Sequence, residues 1–115
     1  MSTVTHFNKL VRDNIPEIIE KNGGKPKYRV IENDEEFKKA LRAKLVEEID
    51  EFLNAKTEEE AIEELADIFT VIWHLDAMSG SKVRDIVIQK GREKGCFFNR
   101  IFLESVEEDD YEERS

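Results

Sequence analysis

Apolar and polar positions in this chain recur with the period of a helix over most of its length. From Asp34 to about Ala55, the residues Phe37, Leu41, Leu45, Ile49 and Phe52 fall three or four apart, which places them on one arc of a helix. Asn33 or Asp34 can cap its start. A second periodic set, Ala61, Ile62, Leu65, Ile68, Phe69, Ile72, Trp73 and Leu75, predicts a helix that opens at Thr57 and runs to about Met78. Thr57 and Glu60 have the spacing of a capping box, and Ser79-Gly80 breaks the pattern. A further helix is expected from Ser81 to Lys94, with Gly95 in the helix-stopping position. Nearer the start, Asp13 or Asn14 as cap, Pro16 in the first turn and Gly23-Gly24 at the end predict one short helix.

Two stretches depart from that period. Lys27–Glu32 reads as a short strand, and Phe97–Val106 is rich in aromatic and β-branched residues. Pairing residues 27–32 with 97–106 would set a small β-hairpin beside the helices. The connections between the three longer helices are two or three residues, which makes them antiparallel neighbours. The expected fold is mostly α, an antiparallel helical bundle forming one domain over residues 1–106.

Composition changes this picture at its end. The chain has 115 residues and a net charge of −9, and residues 104–115 hold seven acids and one arginine, a net −6. Residues 107–115 are therefore expected as an acidic, partly disordered tail, and the body carries only −3. No basic stripe is present to displace counterions, so a nucleic-acid partner is not expected. No apolar run approaches the roughly 20 residues that span a bilayer, and Met1–Lys9 holds no apolar stretch for a signal peptide. Cys96 is the only cysteine, which excludes an internal disulfide and fits a reducing, cytoplasmic setting.

The candidate chemistry lies in acids placed against the helical pattern. On the second helix Glu48 falls inside the apolar arc, between the directions of Phe37 and Leu41, and Glu51 lies at its edge beside Lys44. A carboxylate among apolar side chains costs several kcal/mol unless it is paired or binds a cation. On the third helix Glu64 points between Val71 and Leu75, and Asp67 lies near the direction of Met78. Each helix thus carries two carboxylates at i and i+3 on one side. A tight helical hairpin would bring the pairs face to face. Carboxylate oxygens without histidine or cysteine suit a hard divalent cation such as Mg²⁺, which keeps positions for water and substrate phosphates. Phosphoryl or nucleotidyl hydrolysis is the chemistry such a site serves. The plain alternative is a solvated acidic face, the commonest fate of glutamates on helices.

The string Glu47-Glu-Ile-Asp-Glu51, followed by Glu64-Leu-Ala-Asp67, resembles the EExxE…ExxD signature of MazG-like, all-α nucleoside triphosphate pyrophosphohydrolases. That superfamily also contains phosphoribosyl-ATP pyrophosphatases and dimeric dUTPases. Asn8-Lys-Leu-Val-Arg-Asp-Asn-Ile-Pro-Glu-Ile-Ile19 resembles the opening of a subgroup described as house-cleaning pyrophosphatases. Lys94-Gly-Cys-Phe-Phe-Asn-Arg-Ile-Phe-Leu-Glu104 resembles that subgroup's closing segment, save that Gly95-Cys96 stands where two glycines are usual. The resemblance implies hydrolysis of a nucleoside triphosphate, including damaged or non-standard ones, between the α and β phosphates. It implies Glu48, Glu51, Glu64 and Asp67 as ligands of Mg²⁺, with Mn²⁺ able to substitute, and Glu48 or Glu51 as the catalytic group that orients water. Glu47 matches the first motif acid and would support the ligands. A homodimer or homotetramer is implied as well, and the broad apolar face of the third helix agrees with one.

A polyphosphate needs cationic partners besides the metal. Lys9 and Arg12 near the start and Lys90, Lys94 and Arg100 near the end are the candidates; Lys90 shares a stripe with Val83, Ile86 and Val87, so it is expected nearest the core. Each could equally serve a surface salt bridge. His74 lies roughly 10 Å along the axis from Asp67, too far to share its ion, and reads as an interior or interface histidine. Phe69 and Trp73 read as core, or one of them as a base-stacking platform. A catalytically silent interaction module is the rival reading, whose sign would be a missing motif acid. A dimetal redox bundle would need Glu-x-x-His ligands, and the chain has no such spacing.

Overall fold

A computed structural model describes residues 2–108; the expected acidic tail lies almost wholly outside the described residues. The described residues form four helices: α1 over Ile15–Lys21, α2 over Asp34–Leu53, α3 over Glu58–Met78 and α4 over Lys82–Lys94. The chain divides into two compact units, Met1–Lys82 and Val83–Ser115.

Local chemistry sets the helix ends. Asn33 accepts the Glu36 N–H at 2.9 Å and caps α2. Thr57 accepts the Glu60 N–H at 3.1 Å and caps α3, while the Glu60 side chain reaches back to the Lys56 N–H at 3.0 Å. The capping box is therefore present with its return bond one residue early. Asn14 occupies the cap position of α1 without a side-chain cap bond. That short helix closes in a Schellman turn: Gly23 and Gly24 donate to the Glu20 and Ile19 carbonyls, with Gly23 at φ +90°.

In the first unit α2 and α3 pack on each other. Lys38 and Arg42 of α2 line a groove with Leu75 and Met78 of α3 and with Ser79 just after it, while Glu48 approaches Glu64 and Asp67. The early part of α2 therefore meets the late part of α3, the antiparallel hairpin expected from the short link. The buried apolar side chains among the described residues are few, Leu41 of α2 and Val71 of α3.

Two expectations are corrected. No strand occurs among the described residues, so residues 27–32 and 97–106 do not form a β-hairpin. The two stretches belong to different units; Tyr28 and Val30 stay exposed, and the second stretch folds locally with Arg100 N–H on the Phe97 carbonyl. β-branched and aromatic residues favour extended backbone, yet a strand exists only with a ladder partner. Phe69 and Trp73 are not core: they are 74% and 66% exposed. α3 turns its Glu64, Val71 and Leu75 side to α2, which leaves the stripe Ile62, Leu65, Phe69, Ile72 and Trp73 uncovered.

Candidate metal centre

Five carboxylates collect on the packed side of the α2–α3 hairpin. Glu47, Glu48 and Glu51 offer oxygens within 4.8 Å of one another, and Glu48, Glu64 and Asp67 do the same. Glu48 belongs to both sets and is 4% exposed, as its place in the apolar arc predicts. Glu47, Glu64 and Asp67 are half-buried and Glu51 is exposed. Both sets are groups that could hold a metal ion.

Basic side chains already lie on several of these oxygens. Lys9 Nζ donates to Glu47 Oε1 at 3.0 Å, and Lys44 Nζ donates to Glu47 Oε2 at 3.1 Å. Lys44 also stands 3.1 Å from Glu48 Oε1. Arg12 donates to Asp67 Oδ1 at 2.7 Å and to Thr70 Oγ1 at 3.2 Å, while the Thr70 hydroxyl donates to the Ala66 carbonyl. Lys9 further lies 5.8 Å from the centre of the Phe7 ring, within reach of a cation–π attraction. The opening segment is thus tied to the hairpin at Glu47 and at the candidate ligand Asp67.

The acids titrate as a group. Burial pushes Glu48 up, yet hydrogen bonding with Glu64, Lys44 and Glu51 outweighs it and holds Glu48 below the usual carboxylate range. Glu64 moves the other way, to about 7, first through its hydrogen bond with Glu48, then through burial, and then through hydrogen bonding with Glu51 and the charges of Glu51 and Glu48. Two carboxyls this close do not both ionise freely, so the second proton leaves only at higher pH. Burial lowers Lys44, but Glu47 and Glu48 more than reverse this and raise it. Burial likewise raises Glu47, and the bonds from Lys9 and Lys44 more than offset it, leaving its carboxyl low.

One oxygen on each facing glutamate remains unpartnered. Among the described residues Glu48 Oε2 and Glu64 Oε2 are buried and meet no hydrogen-bond donor. Leaving a buried acceptor unsatisfied costs about 1–3 kcal/mol, more when it is charged. A shared proton or a cation removes that penalty, and an all-oxygen donor set suits Mg²⁺ or Mn²⁺. The residues therefore fit a divalent ion.

The predicted acids come together; the predicted cations separate into two groups. Lys9 and Arg12 lie at the acids. Lys90 and Lys94 of α4, and Arg100 after it, are exposed in the second unit. The expectation that Lys90 sits nearest a core is corrected: α4 buries no residue, and its companions Val83, Ile86 and Val87 are exposed. His74 is exposed rather than interior. Lys44 and Thr70 went unrecognised in the sequence pattern. The spacing of Lys44 before Glu47 and Glu48, at i+3 and i+4, was the available signal.

With this geometry in view, a family model for phosphoribosyl-ATP pyrophosphohydrolase matches residues 7–85, well over half of the chain and all five acids. The chain belongs to the phosphoribosyl-ATP pyrophosphohydrolase family. This family is one of MazG-like, all-α pyrophosphohydrolases acting on nucleotides, so the superfamily resemblance read from the acidic motif is borne out. The match ends before the closing segment 94–104. An uncharacterized protein of Mycolicibacterium smegmatis is 46% identical over 55 residues, covering 48% of this chain and 55% of that relative. The aligned region thus spans about half the length of that curated relative. No solved structure matches the chain. Among the described residues no helix is long and apolar enough to cross a membrane.

Proposed function

We propose that this chain is a Mg²⁺-dependent pyrophosphohydrolase that cleaves a nucleoside triphosphate, damaged or non-standard ones included, between the α and β phosphates. Nucleoside monophosphate and pyrophosphate are the products, and Mn²⁺ substitutes for Mg²⁺. Membership of the pyrophosphohydrolase family supports the reaction class. The observation that carries the site assignment is the buried Glu48, which has an unpartnered Oε2 and belongs to the same cluster as Glu64 and Asp67.

Glu48, Glu51, Glu64 and Asp67 would hold the ion. When bound, it supplies charge neutralisation on the phosphates and acidifies water. Glu48 or Glu51 orients the attacking water and takes its proton as the water oxygen bonds the α-phosphorus. The bond from that phosphorus to the bridging oxygen breaks, and pyrophosphate leaves with the bridging oxygen. Lys9 and Arg12, held at the rim by Glu47 and Asp67, are placed to pass from carboxylate to phosphate when the polyphosphate arrives. The exposed apolar stripe of α3 supports a homodimer or homotetramer. The lone cysteine supports a reducing, cytoplasmic setting.

A panel of ribo- and deoxyribonucleoside triphosphates with Mg²⁺, assayed for pyrophosphate against orthophosphate, tests the reading. Pyrophosphate is expected as the first product from at least one of them, and orthophosphate first would overturn α–β cleavage. Glu48→Ala and Asp67→Ala should each slow the reaction on the order of a hundredfold or more. Near-normal pyrophosphate release by both variants at saturating Mg²⁺ would remove these acids from the site.

A further inference from the structure

We infer that Thr70 is a positioning residue, which keeps the Arg12 guanidinium over the site once the Asp67 carboxylate turns from Arg12 to the ion. This rests on the reaction proposed above, in which Asp67 is a ligand and Arg12 meets phosphate. It adds a residue that belongs to neither the acidic motif nor the candidate cations.

Arg12 Nη2 donates to two acceptors on α3 at once, Asp67 Oδ1 at 2.7 Å and Thr70 Oγ1 at 3.2 Å. A terminal guanidinium nitrogen carries two N–H groups, so neither bond excludes the other. The two acceptors differ in kind. Asp67 gives the charge-assisted and stronger bond, through a carboxylate that a cation also attracts. Thr70, three residues further along α3, gives a neutral oxygen and belongs to neither carboxylate group. Its hydroxyl hydrogen is already committed to the Ala66 carbonyl at 3.0 Å. The oxygen therefore meets Arg12 with its lone pairs, as an acceptor.

The rest of Arg12 suits the same role. Its backbone is held where the chain turns into α1, with the Arg12 carbonyl accepting the Ile15 N–H at 3.1 Å. Its side chain is 57% exposed. With Asp67 withdrawn and no second partner, the guanidinium would spread over its rotamers in water. The bond to Thr70 keeps it at α3 instead. Nε and Nη1 make no hydrogen bond among the described residues, which leaves them for the oxygens of a polyphosphate. Thr70 thus acts on the substrate only through Arg12.

The test is a double-mutant cycle on the full-length chain. It is read by KM and kcat on a triphosphate that the wild type cleaves, and by calorimetric binding of pyrophosphate with Mg²⁺. Thr70→Val removes the acceptor at nearly constant volume. It should raise KM and weaken pyrophosphate binding by about three- to tenfold each, with kcat within about twofold of the wild type. Thr70→Ser keeps the acceptor and should restore both. In an Arg12→Met background Thr70→Val should have no further effect, because the bond it removes is already gone. Thr70→Ala takes its place in the cycle if circular dichroism shows Thr70→Val unfolded. Unchanged KM and pyrophosphate affinity in Thr70→Val, an equal loss in the Arg12→Met background, or no rescue by Thr70→Ser would each overturn the inference and leave α–β cleavage intact. A wild type that neither cleaves a triphosphate between the α and β phosphates nor binds pyrophosphate would overturn both.

Discussion

Glu48 is drawn indoors by its neighbours on the helix wheel, and its cluster sets the pH behaviour of the site. Glu64 holds its proton to about pH 7 in the folded chain, against an ordinary value of 4.5. Between those values the native chain binds more protons than the unfolded one. Its stability should therefore fall as pH rises through that window, insofar as Glu64 governs it. A divalent ion must displace the same proton. Mn²⁺ affinity should accordingly rise with pH up to about 7 and level off above, with close to one proton released per ion at about pH 6. Calorimetry in buffers of different ionisation enthalpy measures that release, and Glu64→Gln should abolish it. An affinity that is flat from about pH 5.5 to 8 would take Glu64 out of the ligand set. At this scale the sequence was informative about which residue was misplaced and silent about its partners. Glu48 stands out because its wheel neighbours are apolar, whereas the protonation of Glu64 depends on a carboxyl sixteen residues away.

At the scale of elements, caps and stop signals are local bonds, and they were legible to within a residue or two. Asn33 and Thr57 cap α2 and α3 as their positions suggest, because each bond spans three residues of the same chain. Thr57→Ala should lower stability by about 1 kcal/mol in urea unfolding. It should also loosen the link that brings Glu64 opposite Glu48, seen as a modest loss of Mn²⁺ affinity. An unchanged urea midpoint would mean that Glu60, through its bond to the Lys56 N–H, secures this end alone. The strands expected at 27–32 and 97–106 failed for a reason of the same kind. Extended propensity is local, but the ladder that makes a strand is not.

For the whole molecule, what matters is which surfaces stay uncovered. Ile62, Leu65, Phe69, Ile72 and Trp73 recur at helical spacing on α3 and are 57%, 40%, 74%, 40% and 66% exposed. An aromatic side chain buries roughly 150–250 Å², and a stable interface takes about 800 Å² from each partner. The two aromatics of this stripe supply a large share of that area. Trp73→Glu should therefore convert an oligomer to a monomer in sedimentation velocity, with the helical circular dichroism retained. A wild-type chain that sediments as a monomer at micromolar concentration would refute the assembly.

The helical period, the caps, the grouping of acids at i and i+3 and the anomaly of Glu48 were determined by sequence alone, since each depends on residues within about one helical turn. Tertiary structure decided that the apolar stripe of α3 faces outward, that Lys9 and Arg12 rest on carboxylates, and that Lys90 does not lie against a core. It also decided which oxygens of Glu48 and Glu64 go without a donor. Those outcomes depend on what packs across from each side chain, and periodicity along one helix carries no information about the other side of the seam.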